Sequence, residues 1–340
     1  MSYEIRCAAE GEFEEWNRYV SRSQQAGPFH RREAIKILAE QTGTRLHPLM
    51  GLKGEQVIGL LPLFSENRGP FELVLSPPLQ TVLNLGPVLL DTDQLKQRKL
   101  ERRNWRFING CLEWIDDRFD ADYVDIRTSE RYGDLRPFKR RDYTVEPFYT
   151  HVVDISEEPD QLLQRISRDP RSSIRNTEET AYEIAVGDRD DATWIVEQVR
   201  KRHGDDLEGK ELDVEFTVLL HDEFPDGQVR PYVCYDEHGS PVGGKITVES
   251  DGTIVFFKGG AKNNSDLPVN ELLDWHIITD AHDRGLARYD LTGANKFELS
   301  QYKSKFAPTL VPYYKIRRTS PEARVALAAR ERLKPLLRRV

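Results

Sequence analysis

The stretch that decides the fold spans residues 253–308 and reads TIVFFKGGAKNNSDLPVNELLDWHIITDAHDRGLARYDLTGANKFELSQYKSKFAP. It begins with an apolar strand that ends at two glycines, which permit positive φ and a close approach of the backbone. A helix with one apolar face is predicted to begin near Asn270 and to end at Gly285. The strand Arg288–Leu291 then runs into a glycine loop. This order of strand, glycine loop, helix and strand predicts an α+β module.

The same order of elements is echoed in the first half of the chain. A predicted hairpin around Lys53–Glu55 and a helix-strand segment at Cys111–Ser129 correspond to a hairpin around Glu237–Ser240 and the segment Leu272–Gly293. Matching places in the two copies are held by Trp114 and Trp275, and by Asp125 and Asp290. The echo predicts that one α+β module is present twice.

A polar stretch between Arg136 and His151, which contains two prolines, marks the predicted boundary between the copies. We therefore predict an α+β fold of two tandem modules, residues 1–145 and 146–318, that face each other across a shared cleft. Residues 319–340 are predicted to form a basic C-terminal helix that packs on the first module.

The composition limits the class of protein. The chain has 340 residues, of which 31% are charged, and its mean hydropathy is -0.62. The long uncharged window Leu73–Leu90 is broken by three prolines, so we expect no membrane span. The first residues lack the basic and apolar regions of a secretory signal. Cys7, Cys111 and Cys234 are far apart and the eight His are scattered, so we predict no metal site and a cytoplasmic location.

The charge of the chain is unevenly distributed. The net charge is -8, yet residues 301–340 contain eleven Lys and Arg against two Glu. This asymmetry indicates an anionic partner that touches only part of the surface. A solvated amphipathic helix at the C-terminus is the alternative.

Four motifs in the decisive stretch resemble those of the FemAB/FemX family of aminoacyl transferases. They are Phe257-Lys258-Gly259-Gly260, Asn270-Glu271-Leu272-Leu273-Asp274-Trp275, Tyr289-Asp290-Leu291-Thr292-Gly293 and Tyr302-Lys303-Ser304-Lys305-Phe306, in the family's order. The resemblance implies two tandem GNAT-like folds, which agrees with the duplicated module. Tyr302 stands where the family usually has Phe. The long coiled-coil arm of many members has no counterpart, so the chain resembles the compact FemX type.

The resemblance also implies a reaction. Members of the family transfer an aminoacyl group from aminoacyl-tRNA to an amine on a cell-wall precursor, so an N-acyltransferase of the cell envelope is the expectation. An amine attacks an ester carbonyl in such a transfer, and a positioned cation stabilises both the developing oxyanion and the phosphates of the donor. By resemblance, Lys303 is predicted to be that catalytic cation, with a surface lysine as the alternative.

Further residues are candidates for substrate binding. Arg171 and Arg175 lie four apart on a predicted helix, where they suit a phosphate or diphosphate, the alternative being a solvated face paired with Glu178 and Glu179. The other candidates are Lys258, Gly259, Gly260, Asp290, Asn295, Tyr302 and Lys305. Asp91 follows a Gly-Pro loop and is a candidate for the carboxylate that accepts the proton of the attacking amine.

Two other functions stay open from the sequence. An acyl-CoA-dependent GNAT enzyme, acting on a sugar or polysaccharide precursor, shares the fold, but the Arg/Gln-x-x-Gly-x-Gly/Ala loop that holds pyrophosphate is absent from the sequence. A non-catalytic binding module is the other alternative. The nucleotide and nucleophile motifs of cofactor enzymes and serine hydrolases are absent, so no cofactor is predicted. There is no signature of sequence-specific DNA binding. The basic C-terminus is expected to contact tRNA or, alternatively, a membrane surface.

Overall fold

The computed structural model describes residues 2–79, 81–177, 181–203, 214–261 and 267–337. The chain forms two compact units, one of residues 1–147 together with the chain from Tyr313 onward, and one of Phe148–Pro312. Helices and strands alternate in both units, which confirms the predicted α+β class. The groove predicted between the modules stays a prediction.

The elements of the described chain are numbered in sequence order. The strands are β1 (Tyr3–Cys7), β2 (Arg45–Lys53), β3 (Gln56–Arg68), β4 (Phe71–Ser76), β5 (Val88–Leu89), β6 (Tyr123–Arg127), β7 (Thr144–Asp154), β8 (Tyr182–Val186), β9 (Val229–Asp236), β10 (Pro241–Ser250), β11 (Thr253–Ala261), β12 (Arg288–Asp290) and β13 (Thr309–Thr319). The helices are α1 (Glu10–Glu14), α2 (Trp16–Val20), α3 (Arg32–Thr42), α4 (Gln97–Asp116), α5 (Arg136–Arg140), α6 (Pro159–Arg165), α7 (Arg168–Asn176), α8 (Arg189–His203), α9 (Val214–Glu223), α10 (Val269–Asp283), α11 (Phe297–Lys303) and α12 (Pro321–Leu337). Short 3₁₀ helices lie at Pro28–His30 and Ser304–Phe306.

The first unit is built on the strand order β1-β2-β3-β4-β6-β13. Neighbouring strands are antiparallel except β4 and β6, which are parallel and are connected through α4. The apolar residues of α4 recur every three or four positions, as in Phe107, Cys111 and Trp114, so one face of the helix is buried against the sheet.

The second unit repeats this pattern with the strand order β8-β9-β10-β11-β12-β7. Here β11 and β12 form the parallel pair, and α10 connects them. Leu273, Ile277 and Ala281 of α10 are fully buried in the core of the unit. The two hairpins, the two long helices and the strands that carry Asp125 and Asp290 therefore correspond as the sequence predicts.

The division of the chain differs from the expected one at its C-terminal end. Residues 315–319 of β13 pair antiparallel with β6, so the chain from Tyr313 onward belongs to the first unit rather than to the second module. The predicted basic helix is present as α12, in the same unit. The side chains of Arg330, Arg332 and Lys334, and residues 338–340 altogether, lie outside the described part of the chain.

The start of α7 lies before the residues that have the typical pattern of a helix start. Asp169 and Pro170 are typical of an N-cap and a first helical position, whereas Ser167 is the N-cap and Pro170 is the third helical residue. Proline is tolerated there because the amide groups of the first turn have no partner within the helix. No helix in the described residues is both long and apolar enough to cross a membrane.

Candidate functional site

A wedge opens in the second unit where its two parallel strands part. Strands β11 and β12 pair only over Thr253–Val255 and Arg288–Asp290. Beyond these residues β11 continues along β10, whereas the chain after Asp290 stays beside β7, with which β12 already pairs. The Leu291 amide there donates to the His151 carbonyl at 2.8 Å. We call the space between Phe256–Ala261 and the loop 291–295 the wedge. Backbone groups that no longer pair across it need other partners.

Lys303 lies in the wedge. It ends α11, and its Nζ donates to the carbonyl oxygens of Thr292 at 2.6 Å and Gly293 at 3.3 Å. The same Nζ is 5.7 Å from the centroid of the Phe256 ring. The lysine therefore spans the opening between the two strands and binds backbone groups that the parting leaves unpaired.

The charge of Lys303 is held at an energetic cost. Burial, and secondly the charge of Lys245, lowers the pKa of Lys303 from 10.5 to about 8. At pH 7 the protonated form still predominates by roughly ten to one. The site thus contains a partly desolvated cation, whose field is stronger than that of a lysine in water.

A buried network supports this lysine, and the candidate residues chosen from the sequence omit most of it. Lys245 of β10 and Asp274 of α10 form an ion pair at 2.5 Å, with side chains 6% and 2% exposed. The hydroxyl of Tyr302 donates to the other oxygen of Asp274 at 2.7 Å, and that of Tyr289 donates to the paired oxygen at 3.2 Å. Tyr302 directly precedes Lys303, and its hydroxyl anchors it to the buried carboxylate of Asp274. A phenylalanine at this position would lack that hydrogen bond.

The sequence does contain a signal for this pair. Lys245 interrupts the apolar strand around Ile246, and Asp274 interrupts the apolar face of a helix between Leu273 and Ile277. Single charged residues of opposite sign in two predicted buried elements indicate a buried pair, because an isolated buried charge is strongly disfavoured.

The two glycines of the first motif lie at the end of β11, beside the wedge. Gly259 has φ 131°, and a Cβ there would lie 2.2 Å from the carbonyl oxygen of Gly244. Glycine is therefore required for β11 to pass β10 next to Lys245. A Cβ on Gly260 would meet the guanidinium of Arg202, which donates to the carbonyl of Ala261. The backbone contact gives Gly259 a structural role, and at Gly260 the φ of 146° favours glycine. Binding of substrate by the backbone of the two glycines stays a prediction.

Lys258, the neighbouring candidate, follows a β-bulge in β11. Thr247 of β10 pairs with Phe256 and Ile246 pairs with Lys258, so Phe257 is the extra residue. The Lys258 Nζ is 5.5 Å from the centroid of the Phe257 ring, and the side chain is half-buried.

Asp290 and Asn295 fix the loop whose carbonyl groups bind Lys303. Asp290 accepts from the Thr150 hydroxyl at 2.5 Å and from the Thr292 amide at 2.7 Å. Asn295 exchanges two hydrogen bonds with the backbone of Tyr149, at 3.0 and 3.1 Å. Both predicted binding residues therefore bind groups of the protein itself, and they fix the loop that holds Lys303.

The segment after Lys303 adjoins the helix that carries Arg171 and Arg175. The amide of Ser167, the N-cap of α7, donates to the carbonyl of Lys305 at 2.8 Å. Arg171 is half-buried and donates to the carbonyl of Gln164 at 2.9 Å, whereas Arg175 is exposed. The start of the predicted phosphate-binding helix and the lysine segment thus meet in one unit. Glu178 and Glu179 lie outside the described residues.

Asp91 lies in the first unit and is engaged in an ion pair. Its carboxylate pairs with the guanidinium of Arg22, and its amide donates to the Arg22 carbonyl at 2.9 Å. Chiefly through the hydrogen bond from Arg22, the pKa of Asp91 is lowered, which weakens the carboxylate as a proton acceptor. The catalytic role suggested for Asp91 by the sequence stays a prediction.

Comparison with known proteins agrees with this architecture. Residues 164–304 match the model of the acetyltransferase (GNAT) domain family. The fold is similar to the crystal structure of FemX (TM-score 0.69, 12% identity, 92% of this chain and 96% of that chain). It is also similar to the C-terminal domain of a putative lysylphosphatidylglycerol synthetase from Agrobacterium fabrum (TM-score 0.55, 12% identity, 95% and 96%). A third similar structure is a tandem GNAT protein from the clavulanic acid biosynthesis pathway (TM-score 0.54, 11% identity, 93% and 98%).

No curated protein is significantly similar to the chain in sequence. The similarity is one of fold, and in the part that contains Lys303 it extends to a family of GNAT domains. The resemblance to the FemAB/FemX family that four motifs predicted is thus confirmed in the fold, which consists of two tandem GNAT-like modules.

Proposed function

We propose that the protein is an N-acyltransferase that moves an aminoacyl group from aminoacyl-tRNA to an amine of a cell-envelope precursor of the peptidoglycan type. The observation that carries this proposal is the partly buried ammonium of Lys303 in the wedge of the unit that matches a GNAT domain. FemX and the putative lysylphosphatidylglycerol synthetase, both similar in fold, support aminoacyl transfer in particular.

The chemistry requires a positioned positive charge. A neutral amine attacks the ester carbonyl, the C–N bond forms, and negative charge develops on the carbonyl oxygen before the C–O bond to the donor breaks. Lys303 supplies an ammonium that two backbone carbonyls already hold in place, so little reorganisation is needed when the charge develops. Arg171 and Arg175 are proposed to bind phosphates of the donor.

An acyl-CoA donor is the second candidate, because the family model matched by residues 164–304 is that of an acetyltransferase domain. The two donors require binding surfaces of different extent, because tRNA has a long anionic backbone and needs an extended basic contact. The basic residues of the segment 301–340 could provide this contact, or could bind an anionic membrane surface. We propose the tRNA contact, and with it a cytoplasmic site of action.

The donor is tested by following label into acceptor. The purified chain is incubated with labelled aminoacyl-tRNA or with labelled acetyl-CoA, and with lipid-linked or nucleotide-linked muropeptides as acceptors. We expect transfer from aminoacyl-tRNA, lowered at least tenfold in Lys303→Met and unchanged in Lys296→Met, which alters an exposed lysine at the start of the same helix. Transfer from acetyl-CoA alone would replace the first donor by the second. Transfer from neither donor would contradict the proposed function.

A further inference from the structure

A histidine and a serine lie hydrogen-bonded beside the proposed catalytic lysine. The Nε2 atom of His151, on β7, is 3.0 Å from the Oγ atom of Ser300, on α11. His151 is 5% exposed, whereas Ser300 is half-buried and reaches solvent. Ser300 precedes Lys303 by three residues in the same helix, so the hydroxyl and the ammonium lie on one face of α11.

One ring nitrogen of this histidine has no hydrogen-bond partner among the described residues. The Nδ1 atom of His151 is buried and forms no hydrogen bond with any residue that the structure describes. An unsatisfied buried polar group costs about 1–3 kcal/mol. An asparagine or glutamine side chain could form a hydrogen bond with Ser300 without a buried, unpaired ring nitrogen. Such a group calls for an explanation other than a structural hydrogen bond.

The backbone places His151 and Lys303 on either side of one loop. The His151 carbonyl accepts the amide of Leu291, and Lys303 binds the carbonyls of Thr292 and Gly293. The Asp290 side chain, on β12, lies on the face of the sheet opposite to that of His151, because it accepts a hydrogen bond from Thr150, the neighbour of His151 on β7, and side chains alternate along a strand. Among the described residues, Lys303 is the charged group whose field acts on the His151 imidazole.

This environment keeps the imidazole neutral. Burial, and secondly the charge of Lys303, lowers the pKa of His151. At pH 7 the ring is therefore unprotonated on one nitrogen, which is the state a proton acceptor needs. A neutral imidazole in contact with a half-exposed hydroxyl is also the arrangement of a general base acting through that hydroxyl.

We propose that Ser300 and His151 form the proton relay of the acyl-transfer site, with Ser300 facing the attacking amine and His151 behind it. This inference rests on the proposed function. As the C–N bond forms, the nitrogen gives its proton to the Ser300 Oγ, whose own proton passes to the His151 Nε2. When the C–O bond of the ester breaks, the proton returns through Ser300 to the leaving oxygen, so the relay ends as it began. The imidazolium is transient because Lys303 and burial both disfavour it.

Three relay variants and two controls, all made in the full chain, test the relay with the labelled donor from which the wild type transfers, aminoacyl-tRNA or acetyl-CoA, and a nucleotide-linked muropeptide as acceptor. The relay variants are Ser300→Ala, His151→Gln and the double variant. The controls are Ser240→Ala and His238→Gln, which alter an exposed serine and an exposed histidine of the β9–β10 hairpin. We expect kcat to fall about 100-fold in each relay variant, with KM for the donor changed by less than threefold. The double variant should be no slower than the slower single variant, because either single substitution already abolishes the relay and the second has nothing further to remove. The controls should match the wild type.

The pH profile separates a relay from a structural contact. In the wild type kcat should fall on the acid side as His151 becomes protonated, and His151→Gln should lack this limb, whereas glutamine keeps a hydrogen bond to Ser300. Wild-type kcat and an unchanged acid limb in His151→Gln would overturn the relay and leave the proposed function standing. A wild type that transfers no acyl group from either donor would overturn both.

Discussion

Replacing Lys303 by methionine removes a buried positive charge and keeps an unbranched side chain of similar length. The pKa of Lys303 falls from 10.5 to about 8 on folding, chiefly because burial disfavours the ammonium. A shift of this size corresponds to roughly 3 kcal/mol. The figure is an upper value, because the side chain is only partly withdrawn from solvent.

The sign of the effect on stability follows from the protons bound in each state. Between pH 8 and 10.5 the unfolded chain keeps the Lys303 proton and the folded chain loses it, so the free energy of unfolding rises with pH in this window. Below pH 8 both states are protonated and the cost of the buried charge is fully present. The methionine variant lacks this titration, so the wild type should gain up to about 3 kcal/mol on the variant across the window.

Urea unfolding at intervals from pH 7 to 10.5 measures this difference, with Lys296→Met as the control that should follow the wild type. At pH 7 we expect the methionine variant to be within about 1 kcal/mol of the wild type, because relief of the buried charge offsets the two lost hydrogen bonds to backbone carbonyls. Parallel curves for wild type and Lys303→Met over the whole range would show that Lys303 is not desolvated, and would refute the reasoning.

Three further substitutions test the network around the wedge. Tyr302→Phe removes one of the hydrogen bonds to Asp274 and should lower the free energy of unfolding by about 1 kcal/mol in urea titrations. A loss of kcat in the folded variant would show that the hydroxyl also positions α11, which contains Lys303. Lys245→Met leaves Asp274 buried without its ion pair and should cost about 3–5 kcal/mol, whereas adding Asp274→Leu should restore most of it. Gly259→Ala places a Cβ 2.2 Å from the Gly244 carbonyl and should lower the melting temperature by several degrees at least; an unchanged melting temperature would show that β11 moves freely there.

The order of elements could be predicted because it depends on local signals, whereas Lys303 was selected through the resemblance of its motif to that of the FemAB/FemX family. The hairpin turns and the apolar faces of α4 and α10 are patterns within a few residues. The same holds for the short strands β6 and β12, which contain Asp125 and Asp290 at corresponding positions. Lys303 was found from a short motif, and its position in the wedge agrees with a role as a buried cation.

The partners of the site could not be predicted, because they are far apart in the sequence. His151 and Ser300 are 149 residues apart, and Thr150 and Asp290 are 140 apart. Their contact depends on which strand lies beside β12, and the local sequence pattern does not determine the order of strands in a sheet. The assignment of β13 to the first unit escaped prediction for the same reason.

The equivalent wedge of the first unit explains why the two copies are not expected to share the chemistry. There β4 and β6 pair in parallel over Leu73–Ser76 and Tyr123–Ile126, and beyond this pairing the chain itself fills the opening. The Leu85 amide donates to the Arg127 carbonyl at 3.0 Å, and Leu85 is fully buried. A Cβ on Gly86 would lie 2.6 Å from the same carbonyl, so the filling is tight.

In the first unit, an apolar loop therefore occupies the opening between the parallel strands, whereas in the second unit Lys303 occupies it. A leucine packed against backbone stabilises the fold but offers no charge to a developing oxyanion. Leu85→Ala should accordingly lower the free energy of unfolding by about 2–5 kcal/mol and leave kcat unchanged at a temperature where the variant is folded. A loss of kcat comparable to that of Lys303→Met, with the variant still folded, would show that the first wedge also takes part in the reaction.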